Sequence, residues 1–394
     1  METSCIVMTS TFYPPFHLGG DAVHVKYLAE ELVRQGHEVH VLHSLDAYDL
    51  KCRGHRPRAA RGEVSTYPVE TSMGAASAAM AYLTGSNRAA QRELSRLVSR
   101  VRPDWIHHHN ISLLGHEILG IGRAPKLYTA HDHWLICPRN DMLYRGREEC
   151  MGRDCAACLI LSGRPPQMWR DHSFSRNLEE IGQTIAPSHY MAGMLLEYLG
   201  LRSEVLPNFA PRPEIARPGP TTPHFVFAGV LEKHKGLDIL LRAYIASGVE
   251  AELHVLGRGS LEQQVDACAS QTGGKVRNRG FLQRSEVLSE LSSALCLVTP
   301  SSCRENSPLV CIEALSLGVP LLVSPRGGLP ELVSGPCGLV ADLTVDGLAS
   351  ALRMFEEETA MRNTMAANAR RRYDEMHAPE RYIAHYLRLA GGLS

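Results

Sequence analysis

Two glutamates and a proline in the C-terminal half have the spacing of a loop followed by the start of a helix. Glu305 and Glu313 lie in SSCRENSPLVCIEALSLGVPLLVSPRGGLPELV, residues 301–333, with seven residues between them. Pro308 suits the first turn of a helix, because the N–H group that proline lacks would have no partner there. We therefore expect Glu305 in a loop and Glu313 inside the helix that follows.

The start of this predicted helix suits an anion. Amides that begin a helix have no partner within it, and they favour a diphosphate. Glu313 can accept hydrogen bonds from two ribose hydroxyls, and Gly327–Gly328 lets the backbone approach a ligand. The alternative is a helix with a solvated glutamate and a glycine turn. The residues predicted to bind a diphosphate in this segment are Asn306, Ser307, Pro308 and Leu309.

A lysine follows an earlier strand of the same half. In AGVLEKHKG, residues 228–236, a strand is predicted to end at Gly229, and Lys235 and Gly236 open a helix. An ammonium group there can offset the charge that grows on a leaving diphosphate. The alternative is a surface lysine on a polar loop, but the chain has only six lysines. Gly257 lies in a third strand–turn–helix joint, which is common to many nucleotide-binding folds.

The N-terminal half has a glycine loop and a histidine at similar positions. Residues 12–20 read FYPPFHLGG, so prolines stiffen a loop in which Gly19 and Gly20 free the backbone for close contact. His131 follows a strand predicted at residues 125–130, where an imidazole can hydrogen-bond a sugar hydroxyl or a developing charge. The alternatives are a plain glycine turn and a histidine bonded to backbone.

At these residues the chain resembles the family 4 retaining glycosyltransferases. The resemblance implies that Glu305 lies beside the donor sugar, that Glu313 holds the ribose and that Gly20 approaches the donor phosphates. It also implies a histidine near the donor sugar, here His131, and retention of anomeric configuration by front-face attack. The sequence ENSPLV replaces the family's commoner glycine–phenylalanine form, and Val230 stands where an arginine is usual. The predicted catalytic residues are His131, Lys235 and Glu305.

Short apolar strands alternate with amphipathic helices along most of the chain. This pattern predicts α/β domains, each with a parallel sheet covered on both faces. A proline-rich stretch at 207–223 predicts a linker between an N-terminal acceptor-side domain, 1–206, and a nucleotide-sugar domain, 224–374. Residues 375–394 form a last helix that we expect to pack back on the first domain. The resemblance implies two Rossmann-like doubly wound domains facing across a cleft, the glycosyltransferase B architecture.

The charge and hydrophobicity of the chain exclude some classes of partner. The net charge of the 394 residues is −1, so no bulk field attracts nucleic acid. No apolar run approaches the ~20 residues of a membrane span, and nothing resembles a signal peptide, so we expect a cytoplasmic protein. Arg88, Arg92, Arg96 and Arg100 repeat along a predicted helix. This stripe indicates a solvated face, with peripheral contact to a membrane or a phosphorylated acceptor left open.

Four of the 11 cysteines are close together in the sequence. Cys137, Cys150, Cys155 and Cys158 fall in a loop rich in proline, glycine and charge, and the last two form a C-x-x-C pair. Four soft ligands in such a loop can hold one structural zinc ion. Two disulfides or four free thiols are the alternatives.

We expect a donor that is a nucleoside-diphosphate sugar linked to UDP, carrying a hexose or an N-acetylhexosamine. No two aspartates are separated by one position, so the D-x-D metal clamp of another transferase fold is absent and no metal cofactor is expected for catalysis. The acceptor is a small molecule or a glycan precursor. Two other functions stay open, a sugar-nucleotide epimerase and a non-catalytic binder of nucleotide sugars.

Overall fold

A computed structural model describes residues 3–52, 56–58, 62–145, 148–150, 152, 154–170, 172–214, 219 and 221–393. The chain forms two compact units. Unit 1 contains Met1–Leu206 and Tyr382–Ser394, and unit 2 contains Pro207–Arg381. The final stretch of the chain thus returns to the first unit.

Unit 1 alternates strands and helices as the apolar pattern predicts. Its strands are β1 (Cys5–Thr9), β2 (Glu38–Ser44), β3 (Ser65–Val69), β4 (Trp105–His108), β5 (Lys126–Thr129), β6 (Leu143–Tyr144), β7 (Glu148–Glu149), β8 (Gln183–Ala186) and β9 (Ser203–Val205). Its helices are α1 (Gly19–Arg34), α2 (Leu45–Lys51), α3 (Ala75–Thr84), α4 (Arg88–Val101), α5 (Cys155–Leu161), α6 (His172–Leu178) and α7 (His189–Leu199), and a 3₁₀ turn covers His116–Gly120.

Seven of these strands form one parallel sheet in the order β3-β2-β1-β4-β5-β8-β9, and β6 pairs with β7 in a separate antiparallel hairpin. The central strands β1, β4 and β5 are almost entirely buried, as expected for a parallel sheet under helices, although β4 and β5 also carry polar residues. Local signals set the helix ends. For example, Ser188 Oγ accepts a hydrogen bond from the Met191 amide at the start of α7, and Gly200 ends that helix with φ +64°.

Unit 2 repeats the pattern. Its strands are β10 (His224–Ala228), β11 (Glu252–Leu256), β12 (Val276–Gly280), β13 (Cys296–Thr299), β14 (Leu321–Val323) and β15 (Gly338–Val340). Its helices are α8 (Leu237–Ser247), α9 (Glu262–Gln271), α10 (Arg284–Leu291), α11 (Leu309–Ser316), α12 (Leu329–Leu332), α13 (Val345–Glu357) and α14 (Thr359–Arg372), and α15 (Pro379–Gly391) continues into unit 1.

The sheet of unit 2 has the order β12-β11-β10-β13-β14-β15, with every pairing parallel. From β10 the chain adds β11 and β12 on one side of the sheet. It then returns to the centre and adds β13, β14 and β15 on the other side. The strand order thus reverses between β10 and β13, and ligands of open α/β sheets bind outside the carboxyl ends of the strands at such a reversal. The expected pair of doubly wound α/β domains is confirmed.

Among the helices that the structure describes, none is both long and apolar enough to cross a membrane. The four arginines at 88, 92, 96 and 100 are exposed on α4, whose other side buries Leu94 and Leu97. Arg96 pairs with Glu93 at 2.6 Å. A partner for this stripe stays a prediction.

Two glycines that flank α8 differ in what surrounds them. Gly236 precedes the helix with φ +72°, and a Cβ there would lie 1.8 Å from the carbonyl oxygen of Pro300. Gly248 follows the helix with φ +67°, and nothing lies within 4 Å of its would-be Cβ. The loop after β10 therefore packs against the loop after β13 so closely that no side chain fits at Gly236.

We predict that Gly236→Ala destabilises unit 2 more than Gly248→Ala does. In each variant an alanine must adopt a left-handed φ, which lowers the unfolding free energy by about 1 kcal/mol. Gly236→Ala also displaces the Pro300 backbone, so its total loss should be at least ~2 kcal/mol. Urea unfolding followed by far-UV circular dichroism measures both. Equal losses of unfolding free energy would contradict the close packing of the two loops.

Candidate active site

An ion pair at the carboxyl ends of β10 and β13 joins two of the predicted catalytic residues. Lys235 lies in a 3₁₀ turn, Lys233–Lys235, after β10, and Glu305 lies in the loop after β13. Lys235 Nζ donates to Glu305 Oε1 at 2.5 Å, and the hydroxyl of Ser301 donates to the same oxygen at 2.8 Å. The side chains are 25% and 16% exposed, so solvent reaches the pair from one side.

Both members of this pair are charged at neutral pH. Burial acts to raise the pKa of Glu305, but the Lys235 ammonium and the hydrogen bonds to Lys235 and Ser301 outweigh it and lower that pKa below 4.5. Burial alone would lower the pKa of Lys235, and the Glu305 carboxylate raises it instead. The pair is thus a preformed cation beside an anion, at the carboxyl ends of strands where ligands of such sheets bind.

The start of α11 lies in the same loop region. Pro308 is the residue before the first helical residue, Leu309, as its chemistry favours. Asn306 and Ser307 are buried just ahead of it, and the Asn208 amide donates to the Ser307 carbonyl at 3.0 Å. No described residue offers a hydrogen-bond partner to the buried hydroxyl of Ser307. A buried hydroxyl without a partner costs stability, so this group is available to a ligand.

Glu313 lies one turn further along α11 and is also buried. Arg284 Nε, from the start of α10, donates to Glu313 Oε1 at 2.8 Å. The sequence placed Glu313 inside the helix correctly but did not indicate this arginine. Ribose binding by Glu313 stays a prediction, and an incoming ribose would share the carboxylate with Arg284.

Glycines bring the loops of this site together. Gly257 follows β11 with φ +138°, and a Cβ there would lie 1.9 Å from the Gly229 carbonyl oxygen. Gly327, with φ +60°, would place a Cβ 2.1 Å from the carbonyl oxygen of Glu305, and the Gly328 amide donates to that oxygen at 2.7 Å. Gly257 therefore acts in loop packing in this structure, and contact with the donor stays a prediction.

The predicted glycine loop of unit 1 ends at the start of a helix. Gly19, with φ +80°, is the first residue of α1 and Gly20 is the second. Earlier in the loop the Tyr13 amide donates to the Phe16 carbonyl, and the Phe16 ring stacks on His43. The structure therefore presents a stiff loop that leads into a helix N-terminus, in agreement with the expected local geometry.

His131 lies among other histidines at the carboxyl end of the unit 1 sheet. Its Nε2 is 3.0 Å from Nδ1 of His109, its ring lies 5.0 Å from that of His24, and His107 contacts the His109 ring at 3.9 Å. Burial lowers the pKa of His131 to about 3. A neutral imidazole at this position can hydrogen-bond a sugar hydroxyl but carries no charge at pH 7.

A chain of carboxyl and amide groups begins at the next residue. The Asn110 side-chain N–H group donates to Asp21 Oδ2 at 2.9 Å and to Asp132 Oδ2 at 3.3 Å. Asn140 Nδ2 also donates to Asp132, at 2.9 Å. Burial, and then the charge of Asp21, raises the pKa of Asp132 to about 7. Asp132 therefore gains or loses its proton near neutral pH.

Sequence reasoning missed Asp21, His24 and Asn110. Asp21 directly follows Gly19-Gly20, and Asn110 directly follows the His107–His109 triplet. Asp21 is thus next to the glycine loop that the sequence singled out, and Asn110 lies two residues after the end of β4. Adjacency to a strand end was an available signal, but their mutual contacts depend on the pairing of β1 with β4 and of β4 with β5.

We predict that Asp132→Asn changes the pH dependence of unit 1 stability. The folded state holds the Asp132 proton more tightly than the unfolded state. Protonated Asp132 therefore contributes to the unfolding free energy at low pH, and this contribution is lost as pH rises from about 4 to about 7. Asp132→Asn has no such proton, so its unfolding free energy does not decrease for this reason. Its unfolding free energy relative to the wild type should therefore increase by at least ~1 kcal/mol between pH 4 and pH 8.

Tryptophan fluorescence can isolate this effect, because all three tryptophans, Trp105, Trp134 and Trp169, belong to unit 1. Urea titrations of both proteins across this pH range provide the difference. Asp141→Asn is a matched control, because Asp141 is paired with Arg139 in the same segment at 2.7 Å. A stability difference between wild type and Asp132→Asn that does not change with pH would contradict the prediction.

Comparisons with known proteins agree with the fold. The family described as Glycosyltransferase Family 4 matches residues 18–211, and Glycosyl transferases group 1 matches residues 213–372. Sucrose-phosphate synthase from Thermosynechococcus elongatus is 18% identical, with a TM-score of 0.76 and 99% of each chain covered. Anabaena Alr3699/HepE in complex with UDP is 15% identical, with a TM-score of 0.67, and the match covers 99% of this chain and 100% of that one.

Two curated relatives match at higher identity. Glycogen synthase of Mycobacterium tuberculosis H37Rv is 28% identical over 387 residues, which is 93% of this chain and 89% of the relative. A GDP-mannose-dependent monoacylated alpha-(1-6)-phosphatidylinositol monomannoside mannosyltransferase of Corynebacterium glutamicum is 29% identical over 160 residues, 38% of this chain and 42% of the relative. The family matches together extend over both parallel-sheet units, and the chain belongs to the family 4 type of glycosyltransferases, enzymes with the glycosyltransferase B fold.

Proposed function

We propose that this glycosyltransferase is a cytoplasmic, retaining enzyme that needs no metal ion for transfer. Its donor is a nucleoside-diphosphate hexose or N-acetylhexosamine, with UDP the first base to test, and its acceptor is a hydroxyl of a small molecule or glycan precursor. The observation that carries the proposal is the Lys235–Glu305 pair beside the start of α11, at the reversal of strand order in unit 2.

In this proposal Lys235 neutralises the leaving diphosphate. Its ammonium group is bound to Glu305, so it is already oriented and partly desolvated before the donor arrives. An incoming diphosphate brings more negative charge than one carboxylate and can draw the ammonium toward itself. Preorganised charge of this kind costs no reorganisation during the reaction, which makes it effective in stabilising a transition state.

The start of α11 supplies the remaining stabilisation. The positive end of the helix dipole and its first amides favour an anion next to Pro308. The unpartnered hydroxyl of Ser307 adds one more donor. Glu305, beside the donor sugar, then accepts hydrogen bonds from sugar hydroxyls with the oxygen that does not contact Lys235.

Unit 1 supplies neutral hydrogen-bonding groups in this proposal. His131 is uncharged, so it orients a sugar hydroxyl and does not compete with Lys235 for the diphosphate. Gly19 and Gly20 allow the donor phosphates to approach the backbone at the start of α1. The departing phosphate oxygen removes the proton of the acceptor hydroxyl, as front-face attack requires, so no separate base is assigned.

We predict that Lys235→Met lowers kcat by roughly 10²- to 10³-fold, because a transition-state charge loses its counterion. Lys235→Arg should retain more activity than Lys235→Met, and Lys233→Met, an exposed lysine two residues earlier, should behave like the wild type. The measurement is release of nucleoside diphosphate from the donor selected below, with circular dichroism as a check of folding. Unchanged turnover in Lys235→Met would contradict the proposed role.

We predict that one nucleoside diphosphate and its sugars raise the thermal midpoint of the protein more than the others do. UDP, GDP and ADP are compared, each alone and with its sugars, because tighter binding to the folded state gives a larger shift. Activity with the selected donor should persist in a chelator. Loss of activity in the chelator that Mn²⁺ restores would contradict metal independence. Formation of an epimer from UDP-GlcNAc without an acceptor would indicate an epimerase.

A further inference from the structure

Four cysteines surround a small hairpin in unit 1 that the proposed reaction does not use. Cys137 follows a turn in which its amide donates to the His133 carbonyl at 2.7 Å, and the Cys150 amide donates to the Met142 carbonyl at 2.9 Å just after the β6–β7 hairpin. Cys155 and Cys158 lie in the first turn of α5, which Asp154 caps through the amides of residues 156 and 157. One cysteine of the set thus precedes the hairpin in the chain, and three follow it.

Backbone N–H groups of this segment contact two of the cysteines. The Arg145 amide donates to Cys158 Sγ at 3.3 Å. The Asn140 amide donates to the Cys137 carbonyl at 3.0 Å, so Cys137 lies in the turn that precedes the hairpin. An amide directed at a sulfur stabilises a thiolate, the form in which cysteine binds a metal.

The backbone that presents these amides is strained. Asn140, Met142 and Arg145 have φ of 71°, 52° and 56°, and they are three of the four non-glycine residues with left-handed φ among those described. A left-handed residue with a Cβ costs about 1–2 kcal/mol. Such residues turn successive N–H groups toward one point, which makes a concave site for negative charge. Three such residues within residues 140–145 persist only where the surrounding structure holds them, and such residues cluster at sites that bind ligands.

The four cysteines share one neighbourhood, but their sulfurs do not converge on one point. Hydrogen bonds place Cys137, Cys150 and Cys158 at or beside the β6–β7 hairpin, and Cys155 lies one turn before Cys158 in α5. No three of the four sulfurs lie within 4.8 Å of one another in the described part of the chain. Tetrahedral zinc with Zn–S bonds of about 2.3 Å needs sulfurs about 3.8 Å apart. Side-chain rotation at these cysteines would have to close that gap.

Two other groups of ligating side chains do meet the 4.8 Å spacing, namely Cys5, Glu38 and His40, and His224, His254 and Glu290. In the second group both ring nitrogens of each histidine already have hydrogen-bond partners. In the first group the Cys5 thiol donates to the Val101 carbonyl and Glu38 is exposed. The cysteine set is therefore the better candidate.

We propose that Cys137, Cys150, Cys155 and Cys158 together bind one structural zinc ion. The ion would tie the hairpin and α5 to the turn after His133 and would offset the strain at Asn140, Met142 and Arg145. It would also fix Asn140, whose side chain donates to Asp132 at 2.9 Å. Two disulfides would join the same cysteines but would leave the Arg145 amide directed at a neutral sulfur.

The test is the metal content of the full-length chain, purified without chelator. Mass spectrometry of the metal should find about one zinc ion per chain, and cobalt in its place should produce the intense visible and near-ultraviolet bands of tetrahedral thiolate coordination. Cys155→Ser with Cys158→Ser should reduce zinc to near zero. Cys52→Ser, a half-buried cysteine of the same unit outside the cluster, should retain it.

The wild type alone decides the question if the double variant does not fold. Four thiols that react freely without metal release, together with no bound zinc, would overturn the proposal. A protein mass lower by four hydrogens, which means two disulfides, would overturn it as well. Zinc that is present but unchanged in a folded double variant would place the metal at other residues and would also refute it.

Discussion

A buried carboxylate stays ionised only where an opposite charge or several donors meet it, and the site of unit 2 is arranged to meet that requirement for Glu305. Lys235 and Ser301 satisfy one oxygen of its side chain, and the Gly328 amide satisfies its backbone carbonyl. The contact with Lys235 joins loops that leave two neighbouring strands, β10 and β13, and the absence of a side chain at Gly236 allows the loops to approach. Strand order, loop packing and charge thus depend on one another.

At the carboxyl end of the unit 1 sheet, the carboxyl group of Asp132 has the opposite charge environment. Asp132 is shielded from water as Glu305 is, but burial and then the charge of Asp21 outweigh the Arg170 guanidinium and the amide donors. Its pKa therefore rises, whereas that of Glu305 falls. Burial lowers the pKa of the histidines around His131, and the neighbouring imidazoles lower it further. Unit 2 thus offers a charged pair, whereas unit 1 offers neutral imidazoles and a carboxyl group that titrates near neutral pH.

The central elements could be predicted from the sequence because their apolar runs carry the signal by themselves. The strand predicted at residues 125–130 is β5, Lys126–Thr129, which is shorter by one residue at each end. The outer strands could not be predicted. Strand β12 reads VRNRG and β3 contains a proline, so neither has an apolar run. They are strands because backbone partners on β11 and β2 are available at the sheet edges.

The candidate active site likewise has features that local sequence predicts and features that depend on tertiary contacts. The sequence alone determined the family resemblance, the α/β class, and the positions of Glu305 before a helix and Glu313 inside it, because proline, glycine and apolar spacing act over a few residues. Only the tertiary structure decided that Lys235 meets Glu305 across 70 residues of chain, that Arg284 meets Glu313 and that Asp132 lies near Asp21. These contacts depend on strand order and loop approach, and neither is encoded in local spacing.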